Sequence, residues 1–124
     1  MVWVGSAQFD LWRRDPLPIA TYEEASLARR CAIDSLALQG RGYRVVYHSS
    51  SLAGQIAAAE SGLAVAVLTR CSVPEHLEIL GGEQALGPLK PMEVAVYRSR
   101  ASARSKSVDS LQSLLIKTLR IAGP

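Results

Sequence analysis

Three consecutive hydroxyls, Ser49, Ser50 and Ser51, are the residues whose type and spacing best suit chemistry in this chain. They directly follow a β-prone run, Arg44-Val45-Val46-Tyr47-His48, and directly precede a stretch of small helix formers that begins at Leu52. A serine at such a boundary caps a helix, because its side-chain oxygen accepts from a first-turn amide. The other first-turn amides point outward with the positive end of the helix dipole, and both favour an anion such as a carboxylate. Two readings stay open on the residues alone: the serines only cap the helix, or they cap it and also touch a ligand. Thr69-Arg70 is the second candidate. It follows the apolar run 63–68, and an arginine can hold a carboxylate through two parallel hydrogen bonds. The ordinary alternative is an exposed arginine in a loop.

Nucleophilic catalysis would need a nucleophile, a base and a group that orients the base. His48 adjoins Ser49 in sequence, but neighbours along a strand point to opposite faces. His76 falls in a loop. There is no G-x-S-x-G elbow and no glycine-rich phosphate loop, and the glycine doublet Gly81-Gly82 is not followed by a clear helix. The chain is therefore expected not to be an enzyme. Cys31 and Cys71 are the two cysteines, and neither a CxxC pair nor an HExxH segment accompanies them. No metal site and no cofactor is expected. Cys31 falls on the apolar stripe of a helix, where a thiol acts as a small hydrophobe.

Composition bounds the rest. A chain of 124 residues can bury one core, and 48% hydrophobic with 20% charged residues describes a folded globule rather than a disordered segment. The net charge of +3 comes from 14 Lys and Arg against 11 Asp and Glu. These cations are scattered. Arg98, Arg100, Arg104 and Lys106 could form a basic loop, but there is no basic recognition helix and no aromatic stacking platform, so a solvated loop is favoured over direct nucleic-acid contact. The run 63–68 is the longest apolar stretch, far short of the roughly 20 residues of a membrane span. Met1 is not followed by a basic and then apolar leader, which favours a cytoplasmic protein with no membrane partner.

The elements that must position the serines follow from periodicity. Residues 2–4 and 18–21 are short strand candidates joined by a connector. A helix is expected over 24–38, with Leu27, Ala28, Cys31, Ala32, Ser35 and Leu36 on one buried face, and Gly40 and Gly42 end it. A strand over 44–48 leads through Ser50 or Ser51 as N-cap into a helix over 52–61. Gly62 closes that helix, and the run 63–68 reads as a strand buried on both faces of a parallel sheet. Residues 44–69 thus form one strand–helix–strand unit. Residues 70–91 are mainly loop, with 75–80 either a helical turn or a short strand. The alternation of 93–98 predicts a strand, and 108–121 an amphipathic helix capped by Ser107, with Leu111, Leu114, Leu115, Thr118 and Leu119 on one face. The class is α/β with a parallel core.

In order and spacing these segments resemble the C-terminal half of the effector-binding domain of LysR-type transcriptional regulators. Val2-Trp3-Val4-Gly5-Ser6 looks like the strand that crosses from the first lobe to the second. Pro18-Ile19-Ala20 looks like the family's "LPLA" strand. Ser26-Leu27-Ala28-Arg29-Arg30-Cys31-Ala32 followed by Gly40 is similar to its helix-then-glycine pattern. The run 43–68, carrying RVVYHSSSLAGQIAAAESGLAVAVL, is the most specific segment. Leu86-Gly87-Pro88-Leu89 and 92–98 look like its turn and return strand.

The resemblance implies a type 2 periplasmic-binding-protein-like lobe with a mainly parallel sheet flanked by helices. Residues 7–91 would be the second lobe, and 92–124 the return strand and C-terminal helix of an incomplete first lobe. It implies a small, carboxylate-bearing effector touching Ser49, Ser50 and Ser51 from the helix start and Thr69 and Arg70 from the opposing loop, with Ser6 near the cleft floor. DNA would be met only through an N-terminal winged helix-turn-helix that this chain lacks. The family pattern places Pro where Thr69 stands here. With most of one lobe missing, the apolar face of the last helix is expected to drive a homodimer or higher oligomer, with C-terminal elements exchanged between copies. The alternative is a solute-binding lobe of a periplasmic-type binding protein.

Overall fold

The computed structural model describes residues 1–121. It divides into two units, Met1–Pro91 and Met92–Pro124.

The first unit is built on five strands and two helices. Strand β1 (Val2–Gly5) is followed by a 3-10 turn, Leu11–Arg13, and then by β2 (Leu17–Thr21), α1 (Leu27–Leu38), β3 (Tyr43–His48), α2 (Leu52–Glu60), β4 (Ala66–Leu68) and β5 (Glu78–Leu80). Strands β2 and β3 pair in parallel, from Leu17 opposite Tyr43 to Thr21 opposite His48. Strand β1 pairs antiparallel with β4 on one side and with β5 on the other. A single parallel bridge, Ile19 opposite Val65, stitches the two ladders together, through bonds from the Val65 amide to the Pro18 carbonyl and from the Ala20 amide to the Val65 carbonyl, both 2.9 Å. The lateral order is thus β3, β2, β4, β1, β5, with β1 alone running against its neighbours.

The expected strand–helix–strand unit is present, and β3 and β4 run the same way on either side of β2. The parallel sheet is only partly as expected. It is mixed, because β1 enters reversed between β4 and β5. An alternating two- or three-residue run looks the same in either direction, so periodicity could not reveal this. The ambiguous stretch 75–80 resolves into β5, which finds its partner in β1.

Alternation along the strands sorts the core into two layers. Trp3, Ile19, Val65 and Val67 face one side, where they meet Ala32 and Leu36 of α1 together with Leu11, Leu17 and Leu86. Val4, Ala20, Ala66 and Leu68 face the other, against Ala58 and Ala59 of α2. Large side chains fill the α1 layer. The α2 layer is mostly alanine, which brings that helix close to the sheet. Helix α1 buries Cys31, Ala32, Ser35 and Leu36 as its spacing demands, while Leu27 stands 50% exposed. It starts three residues later than the periodicity suggested, because Glu23 to Ser26 form a turn in which the Ser26 amide donates to the Glu23 carbonyl at 2.9 Å. Helix α2 ends at Gly62, whose φ of +72° needs no Cβ. A Cβ there would also sit 2.6 Å from the Phe9 ring. Gly62→Ala is expected to cost about 1–3 kcal/mol in urea unfolding. Adding Phe9→Ala should recover the steric part of that loss and leave the backbone part.

The second unit contains α3 (Lys106–Ile121), preceded by a 3-10 turn at Arg100–Ser102. The strand expected over 93–98 does not form, and that stretch is irregular. Alternation is a necessary sign of a strand, but a ladder also needs a neighbour, and none of the described strands pairs with it. Arg98 turns to the helix instead. Its guanidinium donates to the Asp109 carboxylate, to Gln112 Oε1 at 3.2 Å and to the Ser102 carbonyl at 2.6 Å, so it is no free member of a basic loop. The helix begins two residues before the expected start. Ser105 takes the capping position assigned to Ser107, its Oγ accepting from the Val108 amide at 3.4 Å. Leu111, Leu114 and Leu115 stand 40–61% exposed. None of the described helices is long and apolar enough to cross a membrane.

Candidate functional site

Helices α1 and α2 both start at the edge of the sheet where β2, β3 and β4 end. The serine turn lies at that edge and faces solvent: Ser50 and Ser51 are exposed and Ser49 is half-buried. Ser49 extends the β2–β3 ladder, its amide donating to the Thr21 carbonyl at 3.1 Å. Its Oγ accepts from the Ser51 amide at 3.1 Å. Ser51 is the N-cap of α2, accepting from the Gly54 amide at 3.3 Å. The Leu52 and Ala53 amides find no acceptor among the described residues. They are free to meet an anion, with the helix dipole behind them.

Beneath the turn lies Gln55, fully buried. Its Nε2 donates to the Thr21 and Ser49 carbonyls, both at 2.9 Å. One side chain thus ties the ends of β2 and β3 to the first turn of α2. Its Oε1 has no partner among the described residues. The Tyr47 hydroxyl fills the space a Cβ at Gly54 would need, so Gly54 lets that phenol lie against the first helical turn. From α1, Arg29 donates to Thr21 Oγ1 at 3.1 Å and to the Tyr22 carbonyl at 3.4 Å. Burial pushes the Tyr22 phenol above its ordinary pKa.

Thr69 and Arg70 follow β4 at the same edge. With β2 lying between β3 and β4, they stand about 10 Å along the sheet from the serine turn. Thr69 Oγ1 is engaged locally, 2.7 Å from Ser72 Oγ. Arg70 lines a groove shared with β1 and β5. Ser6 is not brought to this edge. Val2 sits opposite Leu68 and β1 runs the other way, so Ser6 emerges four residues further on, roughly 13 Å away at the opposite edge. Its Oγ accepts from the Gln8 amide at 3.3 Å. The expectation that Ser6 lines the same cleft rested on nearness to the crossing strand, which could not show the reversed direction of β1.

Sequence reasoning missed Thr21, Arg29 and Gln55. Gln55 was detectable as the single amide in an alanine-rich helix, one turn from the cap. Arg29 looked like one more scattered cation. His48 is exposed, and His76 meets the Glu60 carboxylate on the surface. Cys31 and Cys71 are both free thiols. No group of three or more His, Cys, Asp or Glu residues is assembled for a metal ion among the described residues. Ser51→Ala should cost about 1 kcal/mol through the lost cap. Ser50→Ala should change thermal stability little, because that exposed hydroxyl makes no hydrogen bond within the described chain.

The comparisons place the chain beside a class of protein that controls transcription. No protein-family model matches it. It is similar to a helix-turn-helix-type transcriptional regulator, with 42% identity over 100 residues. That relative is the HTH-type transcriptional regulator DgdR of Burkholderia cepacia. The alignment takes in 81% of this chain and 34% of the relative, so the chain spans about a third of the length of the protein it matches.

Proposed function

We propose that this chain is the effector-sensing part of a LysR-type transcriptional regulator. In this reading Met1–Pro91 carries a lobe of the type 2 periplasmic-binding-protein kind, and the second unit belongs to the partner lobe. A small carboxylate-bearing metabolite binds at the serine edge and takes no chemical step there. The free Leu52 and Ala53 amides receive the carboxylate, and Ser50 and Ser51 add adaptable hydroxyls. Ser49 serves the site by shaping the turn, and Thr69 closes it from the β4 side. DNA contact belongs to a winged helix-turn-helix elsewhere in a longer protein. The carrying observation is the solvent-facing first turn of α2, held at the sheet's carboxyl edge by Gln55. Similarity to a transcriptional regulator supports the regulatory role.

The test is isothermal titration of the chain with a panel of short amino-, oxo- and hydroxy-carboxylates. At least one should bind saturably. The double variant Ser50→Ala, Ser51→Ala should weaken it by about tenfold or more, as loss of hydrogen bonds to a charged group does. Unchanged affinity in that variant removes the serines from the site.

The exposed leucines of α3 support self-association as part of the same reading. Leu111, Leu114 and Leu115 form the apolar face of a homodimer or larger oligomer, with C-terminal elements exchanged between copies. Light scattering should show a dimer that Leu111→Glu with Leu115→Glu converts to monomer. A wild-type chain that is monomeric at millimolar concentration contradicts it.

A further inference from the structure

A groove of about 480 Å³ opens between the start of β1, the end of β5 and the segment that follows β5. Its size falls within the ~300–1,000 Å³ usual for small-molecule sites. Met1, Val2, Ile79 and Leu89 give it apolar walls, and Arg70 is the one charged side chain among its lining residues. Arg70 is exposed, and no carboxylate or carbonyl among the described residues engages its guanidinium. The rim is firm. Trp3 Nε1 donates to the Gly87 carbonyl at 3.1 Å, Gln84 Oε1 accepts from the Gly81 amide at 2.8 Å, and Arg41 holds the Ala85 carbonyl at 2.9 Å.

The glycines of the rim are the telling feature. Gly81 and Gly82 line the groove. Neither has a positive φ, and a Cβ on either would meet nothing within 4 Å. The fold does not require glycine at these two positions, whereas Gly62 is required by its conformation. What the missing side chains preserve is the open volume of the groove. An apolar recess with one unpaired guanidinium at its rim complements a molecule with a compact apolar body and one negative head.

We propose that this groove is a second small-molecule site, separate from the serine turn, which takes a monocarboxylate with a compact apolar body. Arg70 holds the carboxylate, and Met1, Val2, Ile79 and Leu89 cover the body. Arg70 is thereby assigned to this groove rather than to the serine edge.

The probe is cyclohexanecarboxylate, titrated into the ¹⁵N-labelled chain while the glycine amide resonances are followed. Saturable shifts are expected at Gly81, Gly82 and Gly87. Neutral cyclohexanecarboxamide, lacking the charge, and acetate, lacking the body, should each bind at least about tenfold more weakly. Arg70→Gln, an exposed change that leaves the core alone, should weaken the acid by a similar factor. Gly82→Leu should abolish binding without moving the thermal midpoint of the free chain. Ser50→Ala with Ser51→Ala should leave it within about twofold. Absence of saturable binding overturns the proposal, as does binding that survives both Arg70→Gln and Gly82→Leu. Loss of binding in the serine variant also overturns it, by showing one site instead of two. A failed carboxylate panel at the serine edge, with these glycine shifts intact, removes the first site and leaves this one standing.

Discussion

Gln55→Glu should lower the unfolding free energy at neutral pH by about 3–5 kcal/mol, the range found when a buried charge is left without a partner. The wild-type amide donates to two carbonyl oxygens from a fully buried position. A carboxylate there would face both lone-pair donors with negative charge and without water. Desolvation and repulsion would then raise its folded pKa far above the ~4.3 of an unfolded chain. The sign of the pH dependence follows. Below that unfolded value both states hold the proton and the penalty is absent. It grows as pH rises through ~4, because only the unfolded state then releases the proton, and it levels off once pH passes the folded value. Gln55→Leu provides the comparison. It keeps the volume and removes the donor, so about 1–3 kcal/mol is lost, independent of pH, mainly because the Ser49 carbonyl is left alone. The Thr21 carbonyl keeps the Ser49 amide as a donor. Urea melts of the three proteins between pH 4 and 8 measure all of this. A pH-independent deficit in Gln55→Glu would show that the side chain had escaped to solvent.

Ile19→Ala is expected to be the second severe change. Ile19 is 1% exposed and forms the bridge with Val65 that joins the two ladders. It also sits in the layer that meets α1, between Leu17, Leu36 and Val65. Truncation there leaves a cavity that strands cannot close without breaking register, so about 2–5 kcal/mol should be lost. Ile19→Val, one methylene smaller, should lose ~0.5–1.5 kcal/mol. Against a total stability of roughly 5–15 kcal/mol for a small domain, the alanine variant approaches the limit of folding. A loss below ~1 kcal/mol for Ile19→Ala would mean that the bridge region repacks freely and that the two ladders are only loosely joined.

The parts legible in the sequence were those with local causes. The serine cap, the Gly62 stop and the second half of the apolar run depend on residues within one turn or one strand of each other; the strand itself is only Ala66–Leu68, and Leu63 at the start of the run is 46% exposed because it still belongs to the turn that ends α2. Helix spacing likewise identified Cys31, Ala32, Ser35 and Leu36 as the buried face of α1. What escaped depends on contacts distant in sequence. The reversed direction of β1 is set by partners beyond residue 65, and it carried Ser6 to the wrong edge. The run 93–98 alternates well, but pattern cannot supply a neighbouring strand. At the site, the turn and its cap were readable. The brace beneath it was not, because Gln55 reaches Thr21 across 34 positions of chain. The separation of Arg70 from the serines was hidden for the same reason, since it follows from the order of strands and not from spacing.

The position of β1 has a consequence for how the chain matures. During synthesis β1 leaves the ribosome before every other element of this unit, yet its partners are Leu68 for Val2 and Leu80 for Trp3. Until those residues emerge, Trp3 and Val4 have nothing to bury against, while β2, α1 and β3 can already assemble from neighbouring sequence. Contacts of such high sequence separation are slow to close. The first strand made is therefore the last of this unit to find both its neighbours, and it can take its place in the sheet only once residue 80 has emerged.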